Sequence, residues 1–187
     1  MRQDKNNEER MLTTKAKQGN VEAFETLVKK YQQNIYYLCR GMTGSHQSAD
    51  DLSQETFIKA YFALDRFKDG MSFFTWIRKI AVNNSLNFLK KSKREEPLGK
   101  NSENIRGHSS MGQELPQEML QRNRMEQTFK RALKALPTEQ KIIFILRVFE
   151  DQSYKDIAKI LNISHGTVMS RLSRAREKIK LSMAEYL

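Results

Sequence analysis

Residues 92–118 limit what the chain can fold into more than any other feature. They hold Pro97, Gly99, Gly107, Gly112 and Pro116 among many Ser, Asn and Glu, with only four large aliphatic side chains. Fixing one residue's backbone costs about 1–2 kcal/mol of conformational entropy. So little apolar surface cannot offset that, and the segment is expected to be a flexible tether. Its 27 residues would span about 30 Å as a random coil and at most about 90–97 Å when stretched. A chain of 187 residues is thereby divided into two small domains, 1–91 and 119–187, and no internal repeat relates them.

Both domains read as helical. Only eight glycines and three prolines interrupt the sequence, and apolar residues recur at three- and four-residue steps. Phe24, Leu27, Val28, Tyr31, Ile35, Leu38 and Met42 form one stripe, ending at Gly41 and Gly44. Ser48 with Asp51 resembles a capping box for a second helix whose inner face runs Ala49, Leu52, Ala60, Tyr61 and Leu64. After Gly70 and Ser72 comes a third, with Phe73, Ile77, Ile80, Ala81, Asn84 and Phe88 inward. Beyond the tether, Met125, Phe129, Ala132, Leu133 and Leu136 mark a helix stopped by Pro137. Thr138 is expected to cap the next, which turns Ile142, Leu146 and Phe149 inward. No alternation of strand length appears, so the fold class is all-α.

Charge narrows the function classes. Lys and Arg number 33 against 22 Asp and Glu, a net charge of +11. Residues 1–91 carry 15 basic and 10 acidic groups, 92–118 carry 4 and 5, and 119–187 carry 14 and 7. An anionic partner is therefore expected for both domains. No run approaches the ~20 apolar residues of a membrane span, and residues 1–10 lack the apolar core of a signal peptide. A cytoplasmic protein with no membrane insertion is the expectation. The single cysteine, Cys39, excludes an internal disulfide framework and a cysteine-rich zinc site. His46, His108 and His165 are scattered, and no carboxylate pair, phosphate loop or nucleophile–base pair is evident. No catalytic residue, metal or cofactor is expected.

Residues 153–180 carry the clearest local grammar. Ser153 and Asp156 form a capping box for a short helix with Ile157, Ala158 and Leu161 inward. Asn162 and Ile163 make a turn, and Ser164 caps a helix whose apolar stripe is Val168, Leu172, Ala175 and Ile179. Two short helices around a tight turn with an apolar turn residue are the layout of a helix-turn-helix. At 100° per residue, the solvent side of the second helix holds Gly166, Thr167, Ser170, Ser173 and Arg174. Short side chains let a helix approach base edges, and arginine bonds guanine bidentately. Arg171, Arg176 and Lys178 flank that face, where phosphates would lie. A solvated basic surface helix explains the charges alone equally well; the caps and turn favour DNA.

In the first domain, Trp76, Lys79, Asn83, Asn87 and Lys90 step along one exposed stripe of aromatic, amide and cation. Just upstream, residues 64–74 are rich in aromatic and basic groups. Aromatic faces that stack bases, with cations for the backbone, suit single-stranded nucleic acid. A lone tryptophan in a small helical domain is also what simple core packing produces. Asp50, Asp51 and Glu55 form an acidic patch that would repel DNA, so it is a solvated face or a protein contact.

Asp50-Asp-Leu-Ser-Gln-Glu-Thr-Phe-Ile-Lys-Ala-Tyr61, Phe73-Phe-Thr-Trp-Ile-Arg-Lys-Ile-Ala-Val-Asn83, Ser153-Tyr-Lys-Asp-Ile-Ala158 and Gly166-Thr-Val-Met-Ser-Arg-Leu-Ser-Arg-Ala-Arg176 closely resemble the extracytoplasmic-function (ECF) group of bacterial sigma factors. The resemblance covers residues 14–91 and 119–181. It implies that the first domain is sigma region 2, with Asp50, Asp51, Gln54 and Glu55 docking on the clamp helices of the core RNA polymerase β′ subunit. It implies that the loop of residues 65–73 and the following helix read the −10 element by capturing flipped bases of the non-template strand. The implied contacts are Lys59, Arg66, Phe67, Lys68, Ser72 and Phe73, then Trp76, Arg78, Lys79, Asn83 and Asn87. The C-terminal domain resembles region 4, which touches the β flap and reads the −35 duplex. Its implied contacts are Ser164, His165, Gly166, Thr167 and Met169, then Ser170, Arg171, Ser173, Arg174 and Arg176. An anti-sigma partner is common among relatives. Three positions depart from the family pattern: Met169 stands where a basic residue is frequent, Ser173 where a larger one is, and Lys141 where arginine is.

The rival reading is a stand-alone helix-turn-helix regulator of duplex operators. It accounts for residues 119–187 and leaves the acidic patch and the Trp76 stripe unused.

Overall fold

The computed structural model describes the backbone of residues 2–68, 70–95 and 116–186. The centre of the expected tether, residues 96–115, lies outside the described residues. The chain divides into two compact units, Met1–Asn101 and Ser102–Leu187.

The first unit contains α1 (Arg2–Lys17), α2 (Val21–Thr43), α3 (His46–Phe62), a 3-10 turn (Leu64–Arg66) and α4 (Phe73–Glu95). The Asn20 side chain caps α2 by accepting the Ala23 N–H at 2.8 Å. Gly44, at φ +80°, stops it with an N–H bonded to the Arg40 carbonyl, a left-handed position that glycine enters without a Cβ penalty. That stop moves the start of α3 forward. Ser45 caps it, its Oγ accepting the Ser48 N–H at 3.3 Å, so Ser48 lies inside the helix and its expected capping box with Asp51 does not form. Leu27, Ile35, Leu38 and Met42 of α2 meet Ala49, Leu52 and Ala60 of α3 and Phe73, Ile77 and Ala81 of α4 in the core. Each large apolar side chain buried this way contributes about 1.5–3 kcal/mol. Cys39 is fully buried among them, with the Ser85 hydroxyl donating to its sulfur at 3.7 Å.

Two inward expectations fail here. Tyr61 remains 39% exposed and Phe88 37% exposed. Instead α4 also buries Val82 and Ser85, because it packs against both α2 and α3 and its covered face is wider than one stripe. Phe73 is the hub of an aromatic cluster, its ring centroid 5.7 Å from Trp76, 6.0 Å from Tyr31 and 6.1 Å from Phe67. α1 carries no apolar stripe and was not anticipated.

The second unit contains α5 (Pro116–Ala135), α6 (Thr138–Val148), α7 (Tyr154–Leu161), α8 (His165–Ser182) and a 3-10 turn (Ala184–Tyr186). α4 and α5 reach past the bounds of 91 and 119 read from composition. Ala132 and Leu136 of α5 are buried, while Met125 is 42% exposed. α6 packs on both α7 and α8 and buries five consecutive residues, Ile142, Ile143, Phe144, Ile145 and Leu146. A helix apolar all round is covered all round. Phe149, expected inward, caps α6 and is 58% exposed. Thr138 does not cap α6: the N-cap is Pro137, with no side-chain bond.

α7 and α8 form the expected pair. Ser153 Oγ accepts the Asp156 N–H at 3.1 Å and donates to Asp156 Oδ2 at 2.6 Å. Asn162 adopts the left-handed conformation, φ +53°, and the Ile163 N–H reaches back to the Ala158 carbonyl at 3.0 Å. Ser164 then caps α8 through the Thr167 N–H at 3.1 Å.

Candidate nucleic-acid and protein interfaces

α8 separates two chemistries on opposite faces. Val168, Leu172, Ala175 and Ile179 are buried, and with Ile157 and Ile160 of α7 they fix how the helix is carried. Outward lie Ser164, His165, Gly166, Ser170, Ser173, Arg174 and Arg176, all exposed, with Thr167 half-buried. Met169 is 50% exposed and places a flexible thioether among the hydroxyls. The Ser164 and Thr167 hydroxyls bond each other at 2.8 Å, and the Ser170 hydroxyl donates to the Thr167 carbonyl at 3.2 Å. The His165 ring lies 5.8 Å from that of Tyr154.

Gly166 is informative because the fold does not require it. Its φ lies outside the left-handed region, and a Cβ added there would meet only Ser164 Oγ, at 3.9 Å. An alanine would fit there without a clash, so nothing in the packing of α8 calls for glycine at this exposed position. Arg171 behaves differently from the other flanking cations. Its Nη2 pairs with Glu139 Oε2 at 2.6 Å and its side chain is only 29% exposed, so it braces α8 to α6.

In the first unit Trp76 is half-buried and Lys79, Asn83, Asn87 and Lys90 are exposed, which presents the expected stripe. Trp76 lies edge-on to Phe67, centroids 5.3 Å apart, so packing and presentation are combined in one residue. Three expected contacts are not outward. Phe67, Phe73 and Arg78 are 5%, 0% and 4% exposed. The Arg78 guanidinium lies 4.1 Å from the centre of the Phe74 ring, a cation–π contact that lets a charged residue sit inside. Phe67 and Phe73 form the base on which Trp76 rests. Arg66, Lys68 and Ser72 are exposed.

Lys59 is committed within the unit. Its Nζ pairs with Glu55 at 2.6 Å and donates to Asn84 Oδ1 at 2.8 Å, while Asn84 Nδ2 donates to Thr56 Oγ1 at 3.2 Å. Asp50, Asp51, Gln54 and Glu55 are all exposed on one side of α3. The sequence reading missed that this side continues into Ile58, 57% exposed, and Phe62, 80% exposed. The four-residue step 50–54–58–62 is the signal that finds them. The acidic face of α3 thus ends in two exposed large apolar side chains.

Two α1 side chains were also missed. Glu9 is 8% exposed. Its Oε1 accepts the Phe73 N–H at 2.8 Å and the Ser72 hydroxyl at 3.2 Å. Its Oε2 accepts the Tyr31 hydroxyl and pairs with Lys30 at 3.5 Å. Burial opposes the charge, but the Tyr31 hydroxyl, the Phe73 N–H, Lys30 and Ser72 together hold the carboxyl below its ordinary range. Lys17 Nζ donates to the Phe67 carbonyl at 3.0 Å.

Among the described residues no group of His, Cys, Asp and Glu could hold a metal ion, and no helix is long and apolar enough to cross a membrane.

A two-unit helical protein with a helix-turn-helix in one unit and an aromatic–cationic face in the other has the build of a promoter-specificity subunit. The family model of sigma-70 region 2 matches residues 27–95, and that of sigma-70 region 4 matches residues 126–179. The chain is 35% identical to the RNA polymerase sigma-H factor of Pseudomonas aeruginosa over 96% of both chains. It is 30% identical to the ECF RNA polymerase sigma factor SigW of Bacillus subtilis, over 90% of this chain and 93% of that one. Among solved structures, the sigma factor RpoE of Bartonella quintana, in complex with the anti-sigma factor NepR, is 27% identical. It covers 86% of this chain and 96% of its own, with a TM-score of 0.69. CnrH, in complex with the cytosolic domain of CnrY, shares the fold with a TM-score of 0.67 over 95% of this chain and 98% of its own, at 24% identity. The chain belongs to the ECF group of the sigma-70 family. It directs RNA polymerase to promoters and is not itself an enzyme.

Proposed function

We propose a division of labour within that activity. The acidic face of α3, Asp50, Asp51, Gln54 and Glu55 with Ile58 and Phe62, docks on the clamp helices of the polymerase β′ subunit. The loop of residues 65–73 and the outer face of α4 capture unstacked bases of the non-template strand at the −10 element, with Trp76 as the stacking platform. α8 reads the −35 element in the major groove while α5 and α6 meet the β flap. The segment between α4 and α5, which lies within the 92–118 read from composition, tethers the two units. Unstacking costs a few kcal/mol per base, and each aromatic platform returns about 1–3 kcal/mol. The chain therefore melts DNA by differential binding, without hydrolysing a nucleotide. By likeness to RpoE, we infer an anti-sigma partner as well.

The observation that carries the reading is α8: a buried apolar seam on one side, and on the other a face of short polar side chains with exposed Arg174 and Arg176. Transcription of a genomic fragment library by purified core polymerase, with and without this protein, tests it. Transcripts that share two upstream motifs are expected. Arg174→Ala should relax the upstream motif alone, and Glu55→Lys should abolish core binding while leaving duplex binding intact. Loss of both activities in Glu55→Lys would count against the docking face.

A further inference from the structure

The connection between α3 and α4 is tied to α1 at Phe67 and again at its exit into α4, and α1 is a helix that the division of labour above leaves without a task. We propose that α1 is the positioning element of the −10 loop, and that Glu9 is the residue that sets the loop's shape and hence which bases it accepts. This rests on the reading of residues 65–73 as the −10 loop.

The buried residues of α1 are the first argument. Among its described side chains they are Glu9, Thr13 and Ala16, spaced on one face, with the Thr13 hydroxyl bonded to the Glu9 carbonyl at 2.6 Å. A helix normally docks by burying an apolar stripe; the described part of this one buries a carboxylate and small groups, with Leu12 half-buried. Placing an ionised carboxylate inside is costly unless its lone pairs are filled, and here they are filled by the loop's own exit. The Phe73 N–H, first in α4, and the hydroxyl of the preceding Ser72 converge on one oxygen. Tyr31 and Lys30 hold the other. Glu9 thus caps α4 from another helix, where negative charge also meets the positive end of the helix dipole.

The second argument is the point just after the 3-10 turn, where Lys17, eight residues along α1, holds the Phe67 carbonyl. Between these ties Lys68, Gly70 and Met71 are exposed. Gly70 adopts φ +88°, and a cavity of about 290 Å³ opens between α1 and the loop beside Thr13, Thr14, Phe67 and Met71. Lys68, Gly70 and Met71 are therefore not packed down onto the core; the flanking residues are held there by the buried Phe67 and Phe73 rings, and the polar ties from α1 add to that hold.

The test uses the full chain bound to core polymerase and a single-stranded DNA library with a randomised six-base window. Sequencing the bound fraction gives the enrichment of preferred hexamers over the rest. Glu9→Ala should reduce that discrimination at least about tenfold, or about 1.4 kcal/mol, with core affinity and −35 duplex affinity within about twofold of wild type. Glu9→Gln keeps an acceptor for the Phe73 N–H and should restore discrimination to within about threefold. A simple loss of stability would lower all three affinities together and leave the hexamer preference unchanged. The proposal is overturned if Glu9→Ala selects the same hexamers with the same enrichment, or if Gln is no better than Ala. If Glu9→Ala does not fold, Lys17→Met decides: weakened discrimination supports the role and unchanged discrimination ends it. Should the wild type itself select no hexamer, the loop reading fails and the positioning role goes with it.

Discussion

Replacing Gly166 by alanine sets stability and function against each other. The residue is the second of α8, in right-handed helix, and the nearest atom to an added Cβ would be Ser164 Oγ at 3.9 Å, an ordinary contact. A glycine-to-alanine change at a site whose backbone suits alanine stabilises by about 0.4–1 kcal/mol, chiefly by restricting the unfolded chain. In a domain of about 60–100 residues 1 kcal/mol moves the melting temperature by about 4–8 °C. The second unit of Gly166→Ala should therefore melt about 2–8 °C higher. If this face meets base edges, the same methyl holds the helix away from the groove, and −35 affinity should fall about tenfold, or about 1.4 kcal/mol. Circular-dichroism melting of the full chain reads the first effect. Fluorescence anisotropy with a −35 duplex at fixed salt reads the second, since phosphate contacts make affinity salt-dependent. A higher melting temperature with unchanged affinity would remove Gly166 from the DNA face. A lower one would refute the account of its backbone.

Four further outcomes are expected. Trp76→Leu keeps apolar bulk against Phe67 and Phe73 but loses the stacking face, so open-complex formation, read by permanganate reactivity, should drop about 5- to 150-fold, the equivalent of about 1–3 kcal/mol; duplex binding should change less than about twofold, and equal losses would count against the platform role. Asn162→Val forces a β-branched residue to φ +53° and should cost the second unit about 1–2 kcal/mol in urea unfolding, whereas Asn162→Gly should be nearly neutral; a neutral valine would contradict the left-handed cap. A double-mutant cycle of Glu139→Ala and Arg171→Ala should give a coupling of about 0.2–1 kcal/mol, with Arg171→Ala weakening −35 binding less than Arg174→Ala does; no coupling together with an equal loss would make Arg171 a plain DNA contact. The Glu9 carboxyl is held below its ordinary value of 4.5 in the folded chain, so its contribution is present above that pH and is lost as pH falls through the folded value; the first unit should weaken on acidification below about pH 4.5, and Glu9→Gln, followed by melting from pH 7 to 3, should show a shallower fall.

What the sequence discloses here follows periodicity and local caps. The seam Val168, Leu172, Ala175 and Ile179, the box of Ser153 and Asp156, and the exposed run from Trp76 to Lys90 are set within one or two turns of helix. Such signals survive whatever tertiary structure surrounds them. Some of the misses are local competitions between neighbouring signals and the others are tertiary in origin. Ser48 loses its capping role because Ser45, directly after the Gly44 stop, caps α3 first. Arg78 is buried because the Phe74 ring and the core around it accept a guanidinium, which no spacing rule anticipates. Phe149 stays outside because α6 stops one residue before it. α1 was invisible for a deeper reason: its docking depends on one carboxylate meeting a distant backbone N–H, and a single polar residue leaves no period in a sequence. The α8 face was legible as a set of residue types, but the commitment of Arg171 to Glu139 was not.

The burial of Cys39 has a practical consequence. It is the only cysteine of the chain, is inaccessible to solvent, and has its thiol pushed up to about 11 by burial, despite the bond from Ser85. Reaction with an alkylating reagent requires the thiolate and access to it, so labelling in the native protein must wait for the first unit to open. The rate of Cys39 alkylation in the unmodified chain is thus a built-in clock for that opening. It reports on one unit alone, with or without polymerase or DNA bound, and needs no introduced probe.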